Sequence, residues 1–372
     1  MVFIKNDLYA WVRSIIKKLI PASARSAISS KPRTESEKKH QKLLEDDRLN
    51  KLFKIFLALD LEEGEGQKSK KITKDFCEKH KVNFEEGLDL CFLLIARRFY
   101  YESILIREYS IHKYVEDFEL SNFDNGNERI IGALIEKKYF GGLSESESDF
   151  VRSVLIKDET GLNNKLRSKI SGKKILIVGP SFESLNCLQK DADESDVCLF
   201  PNLLVGYDEL DLGDKFTVSY YNEYNAKRLF YIPSLRACMR AQYHVFRSVL
   251  YYYQYKLLKK GKAQILSGRS IFFNGKMTAI QTILTDILRY NPSSIKIAGT
   301  TFFCSDSLYT SAKYMSVRSN VYYDLARHDP ISNFIFVKFL YDLNLVSLDD
   351  ITKKIVDMSL IDYLENISNN LG

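Results

Sequence analysis

Apolar residues are spaced differently in the two halves of the chain, and the change falls near Gly172. Before it, apolar positions recur every three or four residues, which is typical of amphipathic helices. We therefore interpret residues 49–170 as a helical accessory domain. Five helices are predicted in it. One lies around Leu52–Leu59, one begins at Ile72–Asp75, and three lie over Leu88–Tyr101, Ile130–Lys138 and Glu145–Ile156.

After Gly172, short apolar runs alternate with stretches of helical periodicity. Runs of four to six residues bounded by turn residues indicate strands buried on both faces of a parallel sheet. This βαβ series predicts an α/β domain with a Rossmann-like, mostly parallel sheet over residues 171–372, ending in C-terminal helices. The predicted strands are Ile175–Val178, Val197–Phe200, Phe216–Tyr221, Ala263–Leu266 and Ile295–Ala298, and the predicted helices are Ser234–Lys260, Lys276–Tyr290 and Ile331–Leu343.

The first 48 residues form a third region. Residues 3–20 combine an apolar stripe at helical spacing, with Trp11 near its middle, and basic residues mostly on the other side. A basic amphipathic helix of this kind fits peripheral contact with a membrane surface, and it fits equally a helix docked on its own protein. Pro21 ends the helix, and residues 22–48 are interpreted as a linker passing into a charged helix.

The composition is that of a soluble globular protein, with 45% hydrophobic and 27% charged residues. The formal net charge of +6 favours anionic ligands or a membrane surface but falls short of a nucleic-acid footprint. The six cysteines and five histidines show no metal-ligand spacing, so we expect free thiols, a cytoplasmic protein and no metal site. No run of 18 apolar residues is present, so no membrane span is predicted.

Turn and polar residues follow the predicted strands, at the edge where open α/β sheets bind their ligands. The turn at 179–181 reads Gly-Pro-Ser and is compatible with a ligand cradle or with an ordinary strand-to-helix turn. Asn202 follows the second strand, and Tyr221 and Asn222 close the third. The stretch from 299 to 330 is rich in Ser and Tyr, and it is interpreted as a long loop of the kind that forms lids.

His328 lies at the end of that loop, just ahead of a predicted helix. A histidine there could act as a general base near neutral pH, but taken alone it is more often a surface or helix-capping residue. Tyrosine hydroxyls on the loop could hold a departing phosphate. The Asp-x-Asp at 191–193 is expected in a charged, solvated loop and not as a metal site.

The order of these pieces resembles the bacterial sialyltransferases of glycosyltransferase family 42 and, more distantly, the animal-type sialyltransferases. Residues 177–181 resemble the end of a strand that runs into Gly-x-Gly-Pro-Ser, without its first glycine. Residues 196–202 match Asp-Val-x-x-x-Asn with one extra residue, and residues 220–222 match a Phe-Tyr-Asn strand end.

The resemblance continues to the end of the sheet and covers about residues 172–346. Asn274 and Gly275 correspond to a Ser-Gly that opens a helix. Residues 298–303 correspond to a strand ending Ser-Gly-Ile-Asp-Phe-Tyr, with Thr300 and Thr301 in place of Ile-Asp.

The resemblance implies a sialyltransferase-like variant of the GT-A fold and transfer of a sugar acid, sialic acid or Kdo-like, from a CMP-activated donor to an acceptor glycan or glycolipid. It implies His328 as the base and Tyr309 and Tyr314 as donors to the leaving phosphate. It implies no metal and no cofactor besides the donor. The residues it assigns to the nucleotide and donor sugar are Gly179, Pro180, Ser181, Asn202, Tyr221, Asn222, Asn274, Gly275, Gly299, Thr300 and Thr301.

We therefore expect a metal-independent glycosyltransferase of bacterial surface polysaccharide synthesis, held at the inner face of the cell membrane by residues 3–20. Two alternatives stay open. One is a transferase of the same fold that uses another activated sugar. The other is a non-catalytic scaffold protein that keeps a degenerate nucleotide-binding fold.

Overall fold

A computed structural model describes most of the chain after residue 42. The described residues are 43, 45–62, 66–116, 118, 128–157, 164–179, 185–201, 210–222, 226, 241–259, 262–266, 271, 277–304 and 328–371. Several predictions therefore lie outside the described residues. These are the helix at 3–20, the linker at 22–48 up to residue 42, most of the loop between 299 and 330, and the site residues Pro180, Ser181, Asn202, Asn274, Gly275, Tyr309 and Tyr314.

The centre of the fold is a seven-stranded sheet in the order β5-β4-β3-β2-β1-β6-β7, and every pair of neighbours is parallel. The inner strands are buried along nearly their whole length, because helices cover both faces of a parallel sheet. The protein is thus an α/β protein with a Rossmann-like sheet, as predicted. The strands are β1 Lys174–Val178, β2 Val197–Pro201, β3 Phe216–Tyr221, β4 Tyr243–Phe246, β5 Ala263–Ile265, β6 Ser294–Ala298 and β7 Ser347–Leu348.

Five strands were predicted from the sequence and all five are confirmed to within one residue at either end. The prediction of one helix over Ser234–Lys260 is wrong, because β4 occupies Tyr243–Phe246 and a helix begins only at Val249. Only two residues, Arg247 and Ser248, separate β4 from an apolar helix, so periodicity alone joins the two. The two-residue strand β7 was not predicted.

Thirteen α-helices are found in the described part of the chain. Those of the first half are α1 Asp47–Leu57, α2 Gly66–His80, α3 Phe84–Ala96, α4 Tyr100–Glu116, α5 Arg129–Gly141, α6 Glu145–Ile156 and α7 Asn164–Ile170. Those of the second half are α8 Leu185–Asp193, α9 Val249–Lys259, α10 Ala279–Ile287 (extended to Tyr290 by a 3-10 turn), α11 Pro330–Asp342, α12 Asp350–Val356 and α13 Leu360–Leu371. None of them is long and apolar enough to cross a membrane.

Three local predictions are corrected. The helix expected to open at Ile72–Asp75 already begins at Gly66. The helix expected over Leu88–Tyr101 is two helices, separated where Arg98 adopts a positive φ of 67°. Asp191 and Asp193 lie in α8 and not in a loop, and Asp191 forms an ion pair of 2.5 Å with Lys296 of β6.

The helical segment α1–α7 packs against the α/β part of the chain. One buried apolar cluster contains side chains of α3 and α5 together with side chains of β1, β6 and α11. At this contact the ring of Tyr139 in α5 lies edge-on to Phe334 of α11, with centroids 6.3 Å apart. Phe334 in turn stacks on Tyr363 of α13. Helix α11 is therefore held between the two halves.

Candidate functional site

The order in which strands are added to the sheet reverses at β1. From β1 the chain builds outward through β2, β3, β4 and β5, and it then returns to place β6 on the other side of β1. The connections that leave the carboxyl ends of β1 and β6 therefore belong to opposite wings of the sheet. In open α/β sheets this topological switch point is where a ligand binds.

Two glycines, Gly179 and Gly299, stand at that point. The Gly179 N–H donates to the carbonyl oxygen of Ala298 at 2.7 Å. A β-carbon added to Gly179 would come within 2.3 Å of the Gly299 carbonyl oxygen, so only glycine allows this approach. Gly299 has a φ of +68° and donates its N–H to the Asp349 carboxylate at 2.8 Å. The main chains of two strands thus meet without side chains between them.

The turn after β6 is strained and firmly held. Phe302 and Phe303 both have positive φ, 45° and 74°, which is uncommon for bulky residues. The Phe302 carbonyl accepts a hydrogen bond from Tyr363 at 3.1 Å. Thr300 is buried, and its carbonyl oxygen accepts a hydrogen bond from the Thr352 hydroxyl at 3.1 Å. Thr301 is half-buried. Strain of this kind is kept where the surroundings enforce it, and it is common at binding sites.

His328 lies against this turn. Its half-buried ring is 6.1 Å from the ring of Phe303, measured between centroids. It directly precedes Asp329, which has a φ of 46° and caps α11 by accepting from the Ser332 N–H at 3.2 Å. The structure therefore brings His328 and the turn that begins at Gly299 together.

Asn333 links His328 to the start of α10. Its side-chain NH2 donates to the carbonyl oxygens of His328 and Asp329. Its side-chain oxygen accepts from the N–H of Thr278, the N-cap residue of α10, at 3.0 Å. In the next turn Gln281 donates to the Asn333 carbonyl at 3.1 Å. The turn that carries His328 and the N-terminus of α10 are thus joined by one side chain.

The two residues predicted at the end of β3 have different environments. Tyr221 is 1% exposed, and its hydroxyl hydrogen-bonds Nδ1 of His244 at 2.9 Å, with the two rings stacked. Its phenol therefore belongs to the sheet core. Asn222 follows it, is half-buried and lies at the carboxyl edge. Of this pair, Asn222 has the position of a ligand-binding residue.

Arg247 lies at the same edge and was missed by sequence reasoning. It directly follows β4, and its N–H donates to the Tyr221 carbonyl oxygen at 3.2 Å, which places it beside the end of β3. Its guanidinium donates to the Met277 carbonyl oxygen at 3.4 Å and to the Thr282 hydroxyl, at the start of α10. The pattern of alternating strands and strand-end polar residues would have found Arg247 if β4 had been separated from the helix after it.

The charge of Arg247 lacks a carboxylate partner among the residues that the structure describes. Arg247 is exposed as a residue, and the protein atoms around its guanidinium lower the pKa of Arg247 to about 10. An arginine in this state is suited to bind an anion such as a phosphate or carboxylate.

The described residues at the carboxyl edge of the sheet are thus Gly179 after β1, Asn222 after β3, Arg247 after β4, Gly299 after β6 and His328 in the turn before α11. In the same described ranges no group of three His, Cys, Asp or Glu is arranged to hold a metal ion. Comparison with models of protein families, with curated proteins and with solved structures returned no match for this chain.

Proposed function

We propose that the protein is a glycosyltransferase that transfers a sugar acid, sialic acid or Kdo-like, from a CMP-activated donor to an acceptor glycan or glycolipid of a bacterial surface polysaccharide. Two features support the proposal. One is the ordered series of short motifs over residues 172–346. The other is the all-parallel sheet, at whose carboxyl edge the described motif residues lie. As in the family that the chain resembles, the reaction would need no metal and no cofactor besides the donor.

The approach of Gly179 and Gly299 carries the proposal. Two glycines at neighbouring strand ends leave the switch point lined by main chain, so a nucleotide can approach the backbone there without meeting a β-carbon. The turn that begins at Gly299 contacts His328 through Phe303. A base beside the donor site is what a direct transfer requires.

In the proposed reaction His328 takes the proton of the acceptor hydroxyl while that oxygen bonds to the anomeric carbon of the donor sugar. The bond from this carbon to the CMP phosphate oxygen breaks, and CMP leaves with the negative charge. Tyr309, Tyr314 and the Arg247 guanidinium donate to the leaving phosphate. The nucleotide and sugar are held by Gly179, Pro180, Ser181, Asn202, Asn222, Asn274, Gly275, Gly299, Thr300 and Thr301.

A calorimetric titration with CMP, UDP and GDP, followed by an assay of the matching activated sugars, tests the donor. We expect CMP to bind and CMP-sugars to be consumed. Selective binding of UDP or GDP would favour a transferase with another donor. No binding of any nucleotide would favour the scaffold alternative.

Replacing His328 by glutamine tests the base. We expect turnover to fall by about 10²- to 10⁴-fold, the usual share of general base catalysis, with CMP affinity unchanged. The matched control is His80→Gln on α2, in the helical segment. If turnover of the donor survived in His328→Gln, the assignment of the base would be wrong.

We further propose a cytoplasmic location at the inner face of the membrane, through residues 3–20. Binding of the full chain and of a variant lacking residues 1–20 to vesicles with anionic lipids tests it. Equal binding of the two would assign the helix to the protein itself.

A further inference from the structure

A buried polar cluster joins the helical segment to the residue after His328. Arg107 of α4 donates to both oxygens of the Glu136 carboxylate, at 2.7 and 2.8 Å, and to the Asp329 carboxylate at 2.9 Å. The Ser332 hydroxyl lies 2.6 Å from the same guanidinium and 2.5 Å from Glu136. The side chains of Arg107, Glu136 and Asp329 are at most 4% exposed.

The cluster holds its charges in a dry environment. Burial acts to lower the pKa of Arg107, but the carboxylates of Asp329 and Glu136 outweigh it and hold that pKa well above the ordinary value. One cation thus bonds two carboxylates. A planar guanidinium with several donors is the group that can do this, since lysine presents only a point charge.

The bonds to Asp329 act on an unusual main-chain conformation. Asp329 is a non-glycine residue with φ of 46° and ψ of 73°. This conformation costs free energy and persists only where the surroundings enforce it. Its carboxylate is fixed on one oxygen by Arg107 and on the other by the Ser332 N–H. His328 is attached directly to this residue, so the direction in which its ring leaves the main chain depends on Asp329.

Stability alone is a weak explanation of such a cluster. Replacing a buried ion pair by well-packed apolar residues is often neutral or stabilising. Arg107 and Asp329 are 222 residues apart in sequence, and the bond between them connects α4 to the turn that carries the candidate base.

We propose that Arg107, from the helical segment, is a positioning residue for His328, acting through the Asp329 carboxylate with Glu136 and Ser332 as its supports. The proposal deepens the proposed function and rests on it for the role of His328 as the base. It makes the helical segment part of the active-site scaffold.

The test compares Arg107→Lys and Ser332→Ala with Arg289→Lys in the full-length protein. Arg289 is the matched control because it is another buried arginine, paired with Asp286 at 2.7 Å. It follows Thr278 by eleven residues along α10 and its 3-10 extension, roughly 16 Å for helical rise. Two readouts are needed, the NMR signals of ¹³C-labelled histidine rings and the kinetics of CMP-sugar turnover. The chain has five histidines, so His328 is assigned by the signal lost in His328→Gln.

We expect Arg107→Lys and Ser332→Ala to shift or broaden the His328 signal. We also expect them to lower kcat by about 10- to 100-fold, the effect of a small misplacement, while KM changes little. Arg289→Lys should lower the melting temperature but leave the His328 signal and kcat at their wild-type values. If Arg107→Lys does not fold, Ser332→Ala carries the test.

The proposal is overturned if the His328 signal is unchanged in the folded variants at Arg107 and Ser332, or if Arg289→Lys changes it equally. If the variants shift the His328 signal but the wild-type protein turns over no activated sugar, the proposed function is wrong while the positioning role stands.

Discussion

The main chains of Gly179 and Gly299 lie so close together that no side chain fits between them. A β-carbon on Gly179 would lie 2.3 Å from the Gly299 carbonyl oxygen and 2.8 Å from the β-carbon of Thr300. Gly299 cannot easily retreat, because its N–H is bonded to Asp349 and the next carbonyl is bonded to Thr352. The carboxyl ends of β1 and β6 are therefore fixed at their closest point.

Replacing Gly179 by alanine should force these two strand ends apart. We expect a loss of about 1–3 kcal/mol in the free energy of unfolding, typical of overpacking, together with weaker CMP binding. Urea unfolding and calorimetric titration measure the two effects. Gly66→Ala is the control, since a β-carbon there would have nothing within 4 Å. Wild-type CMP affinity in a folded Gly179→Ala protein would show that the nucleotide does not bind at this contact.

Replacing Arg247 by glutamine should weaken nucleotide binding. Removing a charge-assisted hydrogen bond to phosphate costs about 1.5–3 kcal/mol, so Kd for CMP should rise by about tenfold or more. The salt dependence of binding should also become shallower, because one phosphate contact is lost. Titrations at two salt concentrations measure both.

The control for Arg247 is Arg152→Gln, which removes an exposed arginine of α6 and changes net charge equally. If both variants weaken CMP binding to the same extent, the effect is one of overall charge. If neither does, Arg247 is not part of the nucleotide site.

His244 should make the protein less stable in mild acid. Burial lowers the pKa of His244 to about 4, and the hydrogen bond that the ring donates to the Ala241 backbone opposes this shift. Below the unfolded-state pKa of about 6.5 the unfolded chain takes up a proton that the folded chain does not. The contribution of His244 to the free energy of unfolding is therefore highest above about pH 6.5 and falls as pH falls towards 4. Between pH 7.5 and pH 5 the loss should be about 2 kcal/mol.

Urea unfolding of the wild type and of His244→Gln at several pH values isolates this contribution. Glutamine can still accept the Tyr221 hydroxyl hydrogen bond but does not titrate. All other titrating groups are common to the two proteins, so the difference between their curves reports His244. Parallel curves from pH 7.5 to 5 would contradict a buried, neutral His244.

The local elements could largely be predicted from the chain. Strands such as β1 and β6 are short, mostly apolar runs, as burial on both faces requires. Each is followed by a glycine. Helix α11 was predicted over Ile331–Leu343 from its apolar run, and it is found over Pro330–Asp342. The prediction failed at β4, where only Arg247 and Ser248 separate an aromatic strand from an apolar helix. That failure also hid Arg247.

The sequence by itself thus determined the α/β class, most strands and the residues at their ends, because each of these depends on neighbours within a few positions. Only the tertiary structure decided which strand ends meet. Gly179 and Gly299 touch because β6 pairs with β1 and not with β5. Arg107 reaches Asp329 because α5 packs against both α4 and α11. Such pairings depend on packing and hydrogen bonding between distant segments, and short-range periodicity does not encode them.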